Sequence, residues 1–308
     1  MTPGHYTNKM KLCRRALLPA ETVKNILLDR VKIGEPFSYL RLGDGEGLLL
    51  STEAHSITQE DYNYFETHFG SGCRIADIIE IKNLLEIAAL DADLLGIRDD
   101  VWLADPGVDQ LCQDEPNFYQ RYKMSLPLRS CENNIADHPL RRLFGLQKWI
   151  AANEPFEKLV TSQWVHYDLA LMGFWRDILS LKAEFSLITA SRTLAENVRK
   201  VVPANIEVYC VPEKSVDRHR HPLDFRKYYP DSYNEVADLL LSRSQKGKLF
   251  LVGAGLVGKS FCSIVKRNGG IALDLGALLD AWDGRPTRPL VYASKAPGST
   301  MDHTPFAL

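Results

Sequence analysis

From residue 138 onward, short apolar runs alternate with helix-spaced stretches, and that alternation limits the possible folds more than any single motif. A helix-like segment at 138–152 leads to an apolar run at 156–162, then to helix-like 165–181, strand-like 184–190, helical 193–201 and strand-like 205–211. A charge-rich loop follows, and after it come helix 231–244, strand 248–253, helix 256–268 and strand 270–275. Strands separated by helices form βαβ units, so the pattern predicts an α/β fold with a mostly parallel sheet and flanking helices. Upstream, 20–33 and 74–95 carry helical apolar spacing, and 99–105 reads as a short strand opening a loop. Sheets of this kind bind ligands beyond the carboxyl ends of their strands, so motifs at strand ends are where chemistry is expected.

The strongest such motif is Phe37-Ser38-Tyr39-Leu40-Arg41-Leu42-Gly43-Asp44-Gly45-Glu46-Gly47. An apolar, β-prone run ends in two carboxylates one residue apart, set among glycines and preceded by an arginine. Asp44 and Glu46 could share one Mg²⁺ or Mn²⁺, because such ions take carboxylate oxygen and fill their other positions with water and phosphate. Gly43 and Gly45 would let a phosphorylated ligand approach the backbone, and Arg41 offers a planar fork to its oxygens. The competing reading is a hairpin turned at Asp44-Gly45, with both acids merely solvated.

A second motif, Gly253-Ala254-Gly255-Leu256-Val257-Gly258-Lys259-Ser260, satisfies two patterns. Read as Gly-x-Gly-x-x-Gly it is a dinucleotide turn, with Asp274 about 20 residues on as the ribose-binding acid. Read as Gly-x-x-x-x-Gly-Lys-Ser it is a phosphate loop, with Lys259 reaching phosphate. Its late position opposes both, since a nucleotide domain of on the order of 100 residues cannot be completed after it. Under either reading, Gly253, Gly255 and Lys259 stand where a strand gives way to a helix amino terminus, an anion-binding geometry.

Weaker candidates follow. Ser191 and Arg192 close a strand, where Arg192 could meet a phosphate, and Thr193 with Glu196 makes a capping box. His166 reads equally as a buried, hydrogen-bonded imidazole or a catalytic one. The loop 216–224 concentrates histidine and arginine as a lid or as an ordinary solvated surface. No nucleophile elbow, zinc-binding helix or kinase signature set is present.

Composition narrows the classes. A chain of 308 residues, 45% hydrophobic, can bury the core of one large α/β domain. A formal charge of −2 lacks the basic face that bulk binding to nucleic acid requires. The six cysteines include no Cys-x-x-Cys pair and suit free thiols in a reducing compartment. No apolar stretch reaches the length of a membrane span. The expectation is a cytoplasmic protein without a transmembrane segment, compatible with peripheral membrane association. Its expected organisation is an arm at 1–19, a single domain at 20–290 and a tail at 291–308.

The segment RLGDGE, followed far downstream by LFLVGAGLVGKSFCSIVKRNGGIALDLGALLDAWDGRPTRP, resembles the bacterial GT-D-type glycosyltransferases. Members carry Arg-x-Gly-Asp-Gly-Glu near the amino terminus and Ala-Leu-Asp-(Ile/Leu)-Gly near the carboxyl terminus, and the likeness spans roughly residues 20 to 290. The resemblance implies a Rossmann-like sheet and metal-assisted transfer of a hexose from a nucleotide-sugar donor, typically a UDP-sugar, to a glycan or glycoconjugate acceptor. It makes Asp44 and Glu46 the metal-binding pair, with Mn²⁺ or Mg²⁺ as cofactor. An inverting enzyme would also need a base for the acceptor hydroxyl, and Asp274, a carboxylate at a strand end, is the candidate. Two other classes stay open: a nucleotide-dependent enzyme using the Gly253–Ser260 loop for NAD or ATP, and a non-catalytic nucleotide-sugar binding module.

Overall fold

The computed structural model describes residues 17–98, 101, 140–153, 158–213 and 227–285. Eight strands form one sheet: β1 (Leu17–Leu18), β2 (Phe37–Leu42), β3 (Leu94–Ile97), β4 (Leu159–Ser162), β5 (Glu184–Thr189), β6 (Asn205–Cys210), β7 (Leu249–Gly253) and β8 (Ile271–Asp274). Their order is β1-β4-β3-β2-β8-β7-β5-β6, and every pairing is parallel. After β2 the chain builds toward one edge through β3 and β4, then crosses to β5 and β6 and returns through β7 to β8, beside β2. The direction of winding therefore reverses at β2 and β8, the place where open parallel sheets leave a crevice at their carboxyl ends.

Eleven described α-helices cover the two faces: α1 (Ala20–Ile33), α2 (Asp44–Ser51), α3 (Gln59–Phe69), α4 (Ile75–Asp91), α5 (Leu140–Asn153), α6 (Val165–Leu171), α7 (Phe174–Ser180), α8 (Leu194–Arg199), α9 (Tyr233–Leu241), α10 (Gly258–Arg267) and α11 (Leu278–Trp282). Alternation along β2 divides the core. Leu40 and Leu42 join a cluster with Phe65, Ile78, Leu146 and Phe261, while Phe37 and Tyr39 join one with Val23, Leu27, Val165, Trp175 and Leu278. Burial on both faces is what continuous apolar strands such as LFLV require.

Some expected boundaries move. The helix expected at 74–95 ends at Asp91 and gives way to β3, so a strand precedes 99–105. The stretch 165–181 is two helices, divided at Gly173 with φ of 70°. Leu17 and Leu18, placed in the arm, pair with Val160 and Thr161 at the sheet edge. The loop 216–224, the tail 291–308 and residues 1–16 lie outside the described residues. Among the described residues no helix is long and apolar enough to cross a membrane. Cys73, Cys210 and Cys262 are free thiols.

Candidate active site

RLGDGE forms the end of β2 and the start of α2, not a hairpin. Gly43 is the N-cap in extended conformation, and its N–H donates to Glu46 Oε2 at 2.9 Å, while Gly47 N–H donates to Gly43 O. Asp44 opens the helix and Glu46 stands in its first turn, so both acids lie at a helix amino terminus, where negative charge is favoured. The glycines serve packing as well as approach. A Cβ on Gly45 would lie 2.5 Å from Tyr64 Oη, and one on Gly47 would overlap the carbonyl oxygen of Arg142 in α5.

Arg41 points along the carboxyl edge into a buried charge cluster. Its backbone N–H donates to Asp274 Oδ2 at 3.2 Å, its Nε to the Asp274 carbonyl at 3.0 Å and its Nη2 to Asp274 Oδ1 at 3.1 Å. Its Nη1 is 3.1 Å from His166 Nε2. A guanidinium only donates, so Nε2 accepts and the ring is neutral with its proton on Nδ1. His166 is fully buried, its ring packs on Tyr167 at 4.1 Å, and its carbonyl accepts from Trp175 Nε1. Three of the five guanidinium donors, those on Nε, Nη1 and Nη2, are spent inside the protein, which leaves two.

Lys259, in the first turn of α10, faces the same carboxylate. Its Nζ donates to Asp274 Oδ2 and lies 3.4 Å from Glu46 Oε1, with only 5% of the side chain exposed. Asp274 is thus a 2%-exposed anion held between two cations. Burial pushes its carboxyl up, but the charges of Arg41 and Lys259 and their hydrogen bonds outweigh that and hold it below the ordinary carboxylate range. Burial likewise opposes the charge on Arg41, and the Asp274 carboxylate more than restores it.

These contacts show how the expected residues are engaged within the protein. Asp274, the expected base, is a buried carboxylate clamped by two cations, whose charges hold its proton affinity low. Both of its carboxylate oxygens accept hydrogen bonds from Arg41 or Lys259. Lys259 does not project from its loop as a phosphate-loop lysine must; it turns inward to the two acids. The Gly253–Ser260 segment does form the expected strand, turn and helix, and Gly255 takes the left-handed backbone with φ of 61°. A Cβ on Gly253 would press on Leu279, so packing accounts for that glycine.

Ser191 and Arg192 lie at the end of β5, away from this cluster. Ser191 Oγ donates to Asp283 Oδ2 at 2.7 Å and accepts from the N–H of Leu194, while Thr193, the N-cap of α8, makes no side-chain capping bond. Arg192 is exposed. Sequence reading missed Gln163, which follows β4 and is 7% exposed, with its Oε1 3.0 Å from where a Cβ on Gly43 would be. It also missed Tyr64 and Asp283. For Gln163 and Asp283 the available signal was position just beyond a strand or helix, whereas Tyr64 stands inside α3, where no motif marks it.

No protein-family model matches the sequence, and none of the curated proteins compared with it does. Two solved structures are similar to it. One is a selenomethionine-substituted structure of domain of unknown function 1792, 17% identical with a TM-score of 0.46, the match covering 90% of this chain and 87% of that one. The other is described as the highly conserved domain of unknown function 1792 with a distinct glycosyltransferase fold; it is 16% identical with a TM-score of 0.47, covering 92% and 87%.

Proposed function

We propose that this chain is a glycosyltransferase that moves a hexose from a nucleotide-sugar donor, in the first instance a UDP-sugar, to a hydroxyl of a glycan or glycoconjugate acceptor. One observation carries the reading: RLGDGE and the distant IALDLG come together at adjacent strands β2 and β8, where the sheet's winding reverses, with Arg41, Glu46, Lys259 and Asp274 interlocked there.

The donor set fits a hard divalent ion. Glu46 has one oxygen pinned by the Gly43 N–H and the other turned toward the cluster, and Asp44 lies two residues earlier on the same turn. Among the described residues no three histidine, cysteine or acidic side chains converge on one point, and Mg²⁺ bound through two carboxylates, water and substrate phosphate needs no such cage. When bound, Mn²⁺ or Mg²⁺ would offset the negative charge on the departing nucleoside diphosphate.

The residues of the chain supply orientation. Asp274 fixes the plane of Arg41 through the backbone and two side-chain nitrogens, and His166 holds a third, so the two remaining N–H bonds point in set directions without reorganisation during reaction. Lys259 neutralises the buried Asp274 and faces Glu46, keeping the charges of the site balanced. Asp274 is the anchor of this arrangement and not its base.

A thermal-shift panel separates the readings. UDP-sugars with Mn²⁺ should raise Tm by a few degrees at about a hundredfold over Kd, where ligand binding adds ~2.7 kcal/mol. ATP and NAD should leave it unchanged. A shift with ATP or NAD and none with any nucleotide sugar would overturn the proposal.

A further inference from the structure

A second polar network occupies the same sheet edge, over β5 and away from β2. Asp283 follows α11 and exposes 4% of its side chain. Its Oδ2 accepts from Ser191 Oγ at 2.7 Å and Arg285 Nε at 2.9 Å, and its Oδ1 from Thr193 Oγ1 at 2.7 Å and Asn197 Nδ2 at 3.2 Å. Arg285 is itself braced by Glu213, beyond β6, so the ends of two strands and of α11 meet in the network. Ser191 and Thr193 flank Arg192. Both chain neighbours of this arginine are therefore tied to one buried carboxylate, while its own side chain is exposed and makes no ion pair or hydrogen bond among the described residues. Asp283, Arg285 and Glu213, by contrast, pair with one another.

Register relates this arginine to the Arg41 cluster. Thr189 of β5 pairs with Gly253 of β7, and Val252 of β7 pairs with Asp274 of β8. The carboxyl ends of β5 and β8 are thus two strands, ~10 Å, apart along one edge. A guanidinium with its donors unspent, carried on a backbone fixed at both sides, has the fork geometry for bidentate recognition of phosphate oxygens.

We propose that Arg192 is the residue that recognises a diphosphate group on this edge, and that Asp283 is the positioning residue that presents it. The assignment of that diphosphate to a nucleotide-sugar donor rests on the transferase reading.

Calorimetric titration of the full chain with inorganic diphosphate tests it, with circular dichroism confirming that each variant is folded. Arg192→Ala should weaken binding about ten- to a hundredfold, the loss expected of charge-assisted contacts, and Arg192→Lys less. Asp283→Asn, and more mildly Thr193→Val, should weaken it in the wild-type background and add nothing once Arg192 is alanine, since residues acting through one contact are not additive. Diphosphate affinity unchanged in Arg192→Ala, no diphosphate binding by the wild type, or fully additive losses would each overturn the proposal. If the pattern appears in a chain that turns over no nucleotide sugar, the transferase reading fails and the role of Arg192 stands. If sugar transfer is found while Arg192→Ala binds diphosphate normally, the reverse holds.

Discussion

Asp274 is the residue on which the site's electrostatics depend, and its removal has two separable consequences. Asp274→Ala leaves Arg41 and Lys259 buried without their shared partner, and breaking a buried pair in this way costs about 3–5 kcal/mol. Chemical denaturation should report that loss, and a variant as stable as wild type would contradict it. The pH dependence follows from the depressed carboxyl. A group whose pKa is lower in the folded chain stabilises the fold above its unfolded value, about 3.9, and loses that contribution as pH falls through the folded one. The Asp274 contribution is therefore complete at neutral pH and drains away below the ordinary carboxylate range. Asp274→Asn should flatten this acid limb of stability against pH, and an unchanged limb would show that other carboxylates set it. Gly276 tests the geometry more gently: with φ of 49° and a Cβ that would overlap Arg41 Nη2, Gly276→Ala should displace the guanidinium and lower activity with little loss of secondary structure. Turnover equal to wild type would show that the Arg41 pose is dispensable. At this scale the sequence located most members of the cluster, since Arg41, Glu46, Lys259 and Asp274 each stand at a strand or helix end. It did not disclose their pairing, because which buried cation meets which buried anion is decided by strand order, and β8 inserts beside β2 from 233 residues away.

Helix α2 shows what local pattern cannot supply. Its sequence, DGEGLLLS, contains two glycines, each unfavourable in a helix by about 1 kcal/mol, and reads more readily as a turn. The helix forms because those glycines admit neighbours: Gly47 and Gly145 let α2 and α5 cross at backbone contact, and a Cβ on either would collide with the other helix. Tertiary packing overrides propensity here, with Leu48, Leu49 and Leu50 buried as its return. Gly47→Ala or Gly145→Ala should destabilise the fold by about 1–3 kcal/mol through overpacking, measured by urea unfolding. A neutral result at both positions would mean that the helices shift apart freely. Where packing and pattern agree, as in α1 at 20–33, both boundaries were legible from the sequence. Where a glycine with positive φ divides one apolar stripe into two helices, as at Gly173, periodicity continues through the break and hides it.

For the whole molecule, a mostly parallel sheet was readable from alternation alone, and its strand order was not, because identical βαβ units wind in either direction from the first strand. That order is what brings the two motifs, more than 200 residues apart, to a single edge. The central claim is that this edge performs sugar transfer through a divalent ion held by Asp44 and Glu46. Its most direct test is nucleotide release from a panel of nucleotide sugars in the presence of Mn²⁺ and an acceptor, compared between wild type and the Asp44→Asn and Glu46→Gln variants. The account predicts Mn²⁺-dependent release by the wild type from at least one UDP-sugar, reduced at least about tenfold in both folded variants, as even outer-shell changes cost 10–100-fold at metal sites. Full Mn²⁺-dependent release by both variants, or none by the wild type from any donor, would contradict it.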